Sequence, residues 1–160
     1  MQLEHEDGFY QLHLHAQLGV PAEQVKNIIT DYDHLDQVNP FLKESRVERR
    51  NPDKSTQMRL ITESCIWFIC FEIRHDQLFE PMRGSSLLAH IIPEHSDFHS
   101  GHFSWTVRAN GTETDIYMEA FVEPAFIVPP LIGPYLLEKI MGDIALGTLR
   151  NIERIAATTD

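Results

Sequence analysis

The nine histidines come first, because imidazole is both the commonest metal ligand and the side chain that titrates nearest neutrality. His13 and His15 are two residues apart, so a strand places them on one face, a spacing some metal sites use. Their neighbours on that face are Gln11 and Gln17, which marks it as a solvent face. The stretch Glu94-His95-Ser96-Asp97-Phe98-His99-Ser100-Gly101-His102 also gathers ligand types. Its spacing matches no standard zinc site, and its Ser and Gly favour a loop, so no metal site is expected. No Gly-x-Ser-x-Gly elbow, phosphate loop or dinucleotide fingerprint occurs. Acid–base work in an apolar interior would need an inward carboxylate, Tyr or His, and Tyr117, Glu119 and His102 are the residues to test. Tyr117 and Glu119 share a strand face with Phe121, whereas the other face, Ile116, Met118, Ala120 and Val122, is the better inward one. No catalytic residue and no cofactor is assigned.

These side chains are positioned by a strand, two short helices, a long all-strand stretch and one closing helix. Phe9 to Leu18 alternates, with Tyr10, Leu12, Leu14, Ala16 and Leu18 on the apolar face. Gly19-Val20-Pro21 breaks it, and Val25, Ile28, Ile29 and Tyr32 follow at helical spacing, then Leu35 and Val38. Strand patterns cover about 43–50, 55–65, 66–79, 85–92, 102–109 and 113–122. Asn51-Pro52-Asp53 and Asn110-Gly111 read as turns, which makes the sheet an antiparallel meander. From Pro134 onward the pattern is one helix whose apolar stripe centres on Ile144 and takes in Leu137, Ile140, Met141, Thr148, Ile152 and Ile155. Gly142 falls on the outer side of that stripe without an evident reason, and Gly147 falls at its edge, where a ligand or strand can approach. The 160 residues fit one α+β domain over 1–160.

Composition narrows the partners. A net charge of −11 repels phosphate backbones, so nucleic acid is not expected. The basic group Lys43, Arg46, Arg49, Arg50 and Lys54 is diluted by Glu44 and Glu48 and reads as a charge-protected hairpin edge. Cys65 and Cys70, five apart on one strand, point to opposite faces, which excludes a disulfide if that strand is continuous. Two thiols and an acidic N-terminus without leader character indicate a cytoplasmic protein. The apolar run from Ala125 to Leu137 is too short and too broken by proline to span a bilayer.

The segment from Val20 to Val47, with Pro21-x-x-x-Val25, Asp31-Tyr32 and Pro40 leading to Val47, resembles the start of START-like helix-grip proteins. More narrowly it is similar to their polyketide cyclase/dehydrase and coenzyme-Q-binding branch. Thr112-Glu113-Thr114-Asp115-Ile116-Tyr117 after a Gly turn, Phe121-Val122-Glu123-Pro124 and Pro129-Pro130 also fit that pattern. The resemblance implies a seven-stranded antiparallel sheet curled around the C-terminal helix, two short helices after the first strand, and a hydrophobic cavity. Members bind lipids, quinones, steroids or polyketides, a few are cyclases or aromatases, and one bacterial branch is a ribosome-associated toxin. The family has no invariant catalytic residue to carry over.

With that architecture, Trp67 and Phe71 on one strand, Phe103 and Trp105 on another, and Met118 are expected to line the cavity, closed by Ile140, Ile144 and Thr148. Thr148 and Asn151 would supply its polar contacts. The stiff apolar run holding Phe126, Ile127, Pro129, Pro130 and Leu131 would form one lip of the mouth and meet a membrane transiently. The leading expectation is binding, transport or chaperoning of a hydrophobic small molecule such as a lipid, quinone or polyketide. A cyclase/aromatase and a ribosome- or protein-binding regulator are the alternatives, and the oligomeric state is open.

Overall fold

The structure is a computed structural model describing residues 1–66, 68–128 and 133–158. Its strands are β1 (Gln2–Glu6), β2 (Phe9–Leu18), β3 (Leu42–Arg50), β4 (Thr56–Ile66), β5 (Ile69–Phe79), β6 (Ser86–Ser96), β7 (Phe98–Asn110) and β8 (Glu113–Pro124). Its helices are α1 (Ala22–Ile29), α2 (Leu35–Val38) after a 3₁₀ turn, and α3 (Gly133–Ala157). The described strands form one antiparallel sheet in the order β1-β2-β8-β7-β6-β5-β4-β3. The meander is as the turn residues indicate, with eight strands rather than seven.

The extra strand is β1. It folds onto β2 through Asp7 and Gly8, both at positive φ, the conformation of a two-residue hairpin turn. Met1, just before β1, and Leu3 on β1 then cover Gly142 of α3, where a β-carbon would come within 3.2 Å of the Met1 methyl. Gly142 is thus buried rather than outward. Gly147 is crowded by Pro40 and Phe41, 3.0 and 3.2 Å from where its β-carbon would be, so neither a strand nor a ligand fills that edge.

β4 ends at Ile66 and β5 begins at Ile69, so the strand assumed to be continuous through the cysteines is two antiparallel strands. Cys65 and Cys70 lie directly opposite across the hairpin and form a disulfide. That overturns the excluded bridge and removes the two free thiols on which a reducing compartment was argued. No helix among the described residues is long and apolar enough to cross a membrane.

Inward side chains of β2, β8 and β7, including Leu12, Leu14, Ile116 and Val107, pack with Val25 and Ile29 of α1 and Ala145, Leu149 and Ile152 of α3. A second cluster at the other end joins Tyr10, Ile73, Phe98 and Val122 to Leu137. Buried residues of α3 include Leu137, Ile140, Thr148 and Ile152 of the apolar stripe, and burial extends beside it to Ala145, Leu149 and Ala156. Ile144 is only half-buried, because it faces open space between the two clusters. Thr114, fully buried, donates its hydroxyl to the Val20 carbonyl at 2.5 Å and ties the start of β8 to the turn entering α1.

These burials set a contrast between two isoleucines of α3. Ile152→Ala should cost about 2–5 kcal/mol in a urea titration, whereas Ile144→Ala should cost clearly less because part of its surface already lacks neighbours. Equal losses would mean that the helix is rotated from this placement.

Candidate functional site

Between the two clusters lies a cavity of about 210 Å³. Its floor is the inner face of β4 to β8, with Leu60, Ile73, Leu87, Ala89, Phe103, Trp105, Met118 and Val122. Leu137, Ile140, Met141, Ile144 and Thr148 of α3 form the opposite wall, and Ile29, Leu35, Val38 and Leu42 close one end. Phe79 is another lining residue, backed by the Tyr32 ring at 5.0 Å. Burial pushes the Tyr32 phenol up to about 12, so this supporting wall stays neutral.

Six of the residues expected from sequence meet here: Phe103, Trp105, Met118, Ile140, Ile144 and Thr148. Phe71 is not among the lining residues and instead packs against the Ile73–Phe98 cluster. Asn151 is also absent from the lining, and its side-chain oxygen meets Arg154 Nε at 3.4 Å. Thr148 lines the cavity, but its hydroxyl donates to the Ile144 carbonyl at 2.7 Å and is spent within the helix. Trp67, Pro129, Pro130 and Leu131 lie outside the described residues. Phe126 packs edge-on to the cavity residue Phe98 at 6.1 Å, and Ile127 beside it is 93% exposed.

The side chains tested for acid–base chemistry face outward. Glu119 pairs with His13 at 3.3 Å, Tyr117 stacks on His15, and His102 stacks on Phe121, all on the outer face. Asp115 engages His15 at 3.2 Å. No group of three or more metal-ligating side chains occurs among the described residues. The stretch 94–102 is strand rather than loop: β6 and β7 run through it, with register irregularities on both sides.

The polar heart of the cavity is a set that sequence reading passed over. Thr62, His75 and Gln77 all line it. His75 Nε2 lies 2.7 Å from Thr62 Oγ1, and Gln77 Nε2 lies 2.8 Å from His75 Nδ1. Asn39 is a fourth polar lining residue, its side-chain oxygen already accepting from the Phe41 N–H at 3.0 Å. Among the described lining residues His75 is the ionisable one. Desolvation lowers its pKa from 6.5 to about 4, against the smaller upward pull of Asp76 and Asp97, so the ring is neutral at pH 7. The His75 side chain is part-buried and lines the cavity. Asp76 points to the other face, where Arg74 holds it through two contacts of 2.9 and 3.3 Å, so its charge stays out of the cavity. The available signal was the inward parity of Phe71 and Ile73, which two further steps carry to His75 and Gln77.

A curled antiparallel sheet gripping one C-terminal helix over an apolar cavity defines a START-like helix-grip protein. The sequence itself matches over residues 18–151 the family described as polyketide cyclase/dehydrase and lipid transport, and the chain belongs to that family. No curated protein matches the sequence. Among solved structures, a Thermus thermophilus protein superposes with a TM-score of 0.77 at 16% identity, covering 94% of this chain and 99% of that one. A START superfamily protein from Mycobacterium smegmatis gives 0.75 at 17% identity, covering 94% and 99%. The Zhui aromatase/cyclase from Streptomyces gives 0.77 at 9% identity, covering 93% and 94%. At such identities the likeness shows the fold alone. Membership of this family supports binding of a hydrophobic small molecule or cyclase/aromatase chemistry upon one.

The lowered pKa of His75 has a sign that can be measured. The unfolded chain takes up this proton near pH 6.5 and the folded chain only near pH 4. Stability linked to His75 is therefore complete above pH 6.5 and is lost as pH falls through that window, by on the order of 3 kcal/mol. His75→Gln should lose less stability than wild type between pH 7.5 and 4.5 in paired urea titrations. Parallel losses would mean that His75 is not enclosed.

Proposed function

We propose that this protein binds a small hydrophobic molecule in the cavity between its sheet and α3, and that it acts as a carrier or binder rather than a catalyst. The observation carrying this reading is an apolar chamber of about 210 Å³ whose polar lining is one neutral cluster together with Asn39 and the helix-bonded Thr148. Size bounds the occupant. An apolar cavity of about 150 Å³ takes up benzene, and pockets for drug-sized ligands run from about 300 to 1,000 Å³. One or two rings, a quinone head or a short acyl chain fits, and a sterol or a multi-ring polyketide does not fit without widening.

The cyclase/aromatase alternative needs an inward acid or base. Tyr117, Glu119 and His102 face away from the cavity. His75 faces it, but with a pKa of about 4 it is a weak base at neutral pH, and both ring nitrogens are engaged. The ribosome-binding alternative draws no support from charge. In the basic group, Lys43 is paired with Glu63 and Glu72, Arg46 with Glu48 and Arg50 with Asp33.

Calorimetry with single-ring quinones, short fatty acids and naphthalene derivatives should find a ligand in the micromolar range. Ala89→Leu, which fills the floor of the cavity, should weaken it at least tenfold with circular dichroism unchanged. If no compound of that size binds, the cavity reading is wrong.

The mouth-loop reading extends this proposal. Ile127 is 93% exposed, and its neighbour Phe126 touches a cavity wall, so this pair is placed to enter a donor membrane weakly. The −11 charge opposes anionic lipid, so neutral vesicles should be preferred. Ile127→Ser should reduce co-sedimentation with phosphatidylcholine vesicles without altering thermal stability. Undiminished sedimentation would assign the loop a purely structural role.

A further inference from the structure

The polar cluster sets the chemistry of the occupant beyond its size. Gln77 presents its amide nitrogen to His75 Nδ1 at 2.8 Å, and an amide nitrogen only donates. Nδ1 is then the acceptor of a neutral ring, and the ring proton sits on Nε2. From there it is donated to Thr62 Oγ1 at 2.7 Å. That leaves the proton of the Thr62 hydroxyl with no acceptor in its bonded set, on a buried side chain lining the cavity. A buried donor without a partner is costly, and an occupant that accepts the bond removes the cost. Around it the described lining holds no Lys, Arg, Asp or Glu, so nothing there balances a charged ligand.

Resting on the binding function above, we infer that the occupant is a neutral, compact, largely apolar molecule carrying one carbonyl-type acceptor, and that the Thr62 hydroxyl is the donor that receives it. His75 and Gln77 are positioning residues: they fix the direction in which the Thr62 proton points. Gln77 turned end for end would reverse the chain of donors. Nδ1 would then carry the proton, Thr62 would donate to Nε2, and the cavity would offer an acceptor suited to an alcohol.

Naphthalene, 2-acetylnaphthalene, the corresponding secondary alcohol and 2-naphthoate make a matched set of probes. Calorimetry on wild type should rank the ketone about tenfold tighter than the hydrocarbon, with the alcohol, whose oxygen also accepts but whose own proton is left unpartnered, below the ketone and the carboxylate weakest. Thr62→Val, close in shape, should collapse the ratio of ketone to hydrocarbon affinity towards one. Long-range ¹H–¹⁵N spectra of the wild-type imidazole should give the Nε2–H tautomer for His75, a readout needing no variant. A Nδ1–H tautomer, an alcohol that outranks the ketone, or a ketone advantage that survives in Thr62→Val would overturn the inference. If naphthalene binds and the ketone gains nothing, this inference fails while the cavity reading stands. If none of the four binds, both fail.

Discussion

Burial of Ala145, Leu149 and Ile152 against β2, β8 and α1 is the contact on which the rest of the molecule depends. These residues are at most 5% exposed, and each fully buried Leu or Ile contributes about 1.5–3 kcal/mol. They anchor the C-terminal half of α3 at one end of the curled sheet. Leu137 anchors its beginning at the other, among Tyr10, Ile73 and Phe98. The helix is thus held against the sheet along one face, and the adjoining face looks towards the strands across a gap. Ile144 and Thr148 face the resulting gap. The cavity is left where the helix face holding Ile144 and Thr148 crosses the inner face of the sheet.

An empty apolar chamber needs no polar groups, which gives the set on β4 and β5 its meaning. Three polar side chains line the chamber and are joined into one hydrogen-bonded chain, with the Thr62 proton left over. The strands keep stronger charges elsewhere. Asp76, adjacent to His75, turns to the outer face and is held by Arg74, with Arg59 at 3.8 Å. The alternation of a strand places an ion pair, Arg74 with Asp76, on one side and a neutral hydrogen-bonded chain through His75 and Gln77 on the other within four consecutive residues.

Much of this fold was legible because burial on one face leaves a period of two. The alternation of β2 and of Ile116 to Val122 marked their inward faces correctly. β1 was missed because Leu3 is its lone large apolar residue, and the real signal was Asp7-Gly8 behind it. The tip Cys65-Ile66-Trp67-Phe68-Ile69-Cys70 holds no Gly, Pro, Asn or Asp, so nothing in it announced a turn, and the bridge across it was excluded. On α3, weighting by large apolar residues drew the stripe to Ile144, whereas small Ala145 and Ala156 lie deeper because small residues allow close approach. The wall of the cavity was readable as hydrophobic pattern. Its polar centre was not, since a polar residue at an inward position looks like the end of a strand's apolar face.

The bridge between Cys65 and Cys70 has a bearing on the cavity-facing part of its hairpin. Thr62 on β4 and His75 on β5 meet only in the register that sets Cys65 opposite Cys70. Sliding one strand by a single residue would turn its inward side chains outward. On its other edge β5 meets β6 through an irregular register between His75 and Gln77, which offers little guidance. The covalent link acts as an indexing pin: it counts residues along both strands from a fixed origin, and thereby decides which side chains reach the interior three residues away on β4 and five on β5.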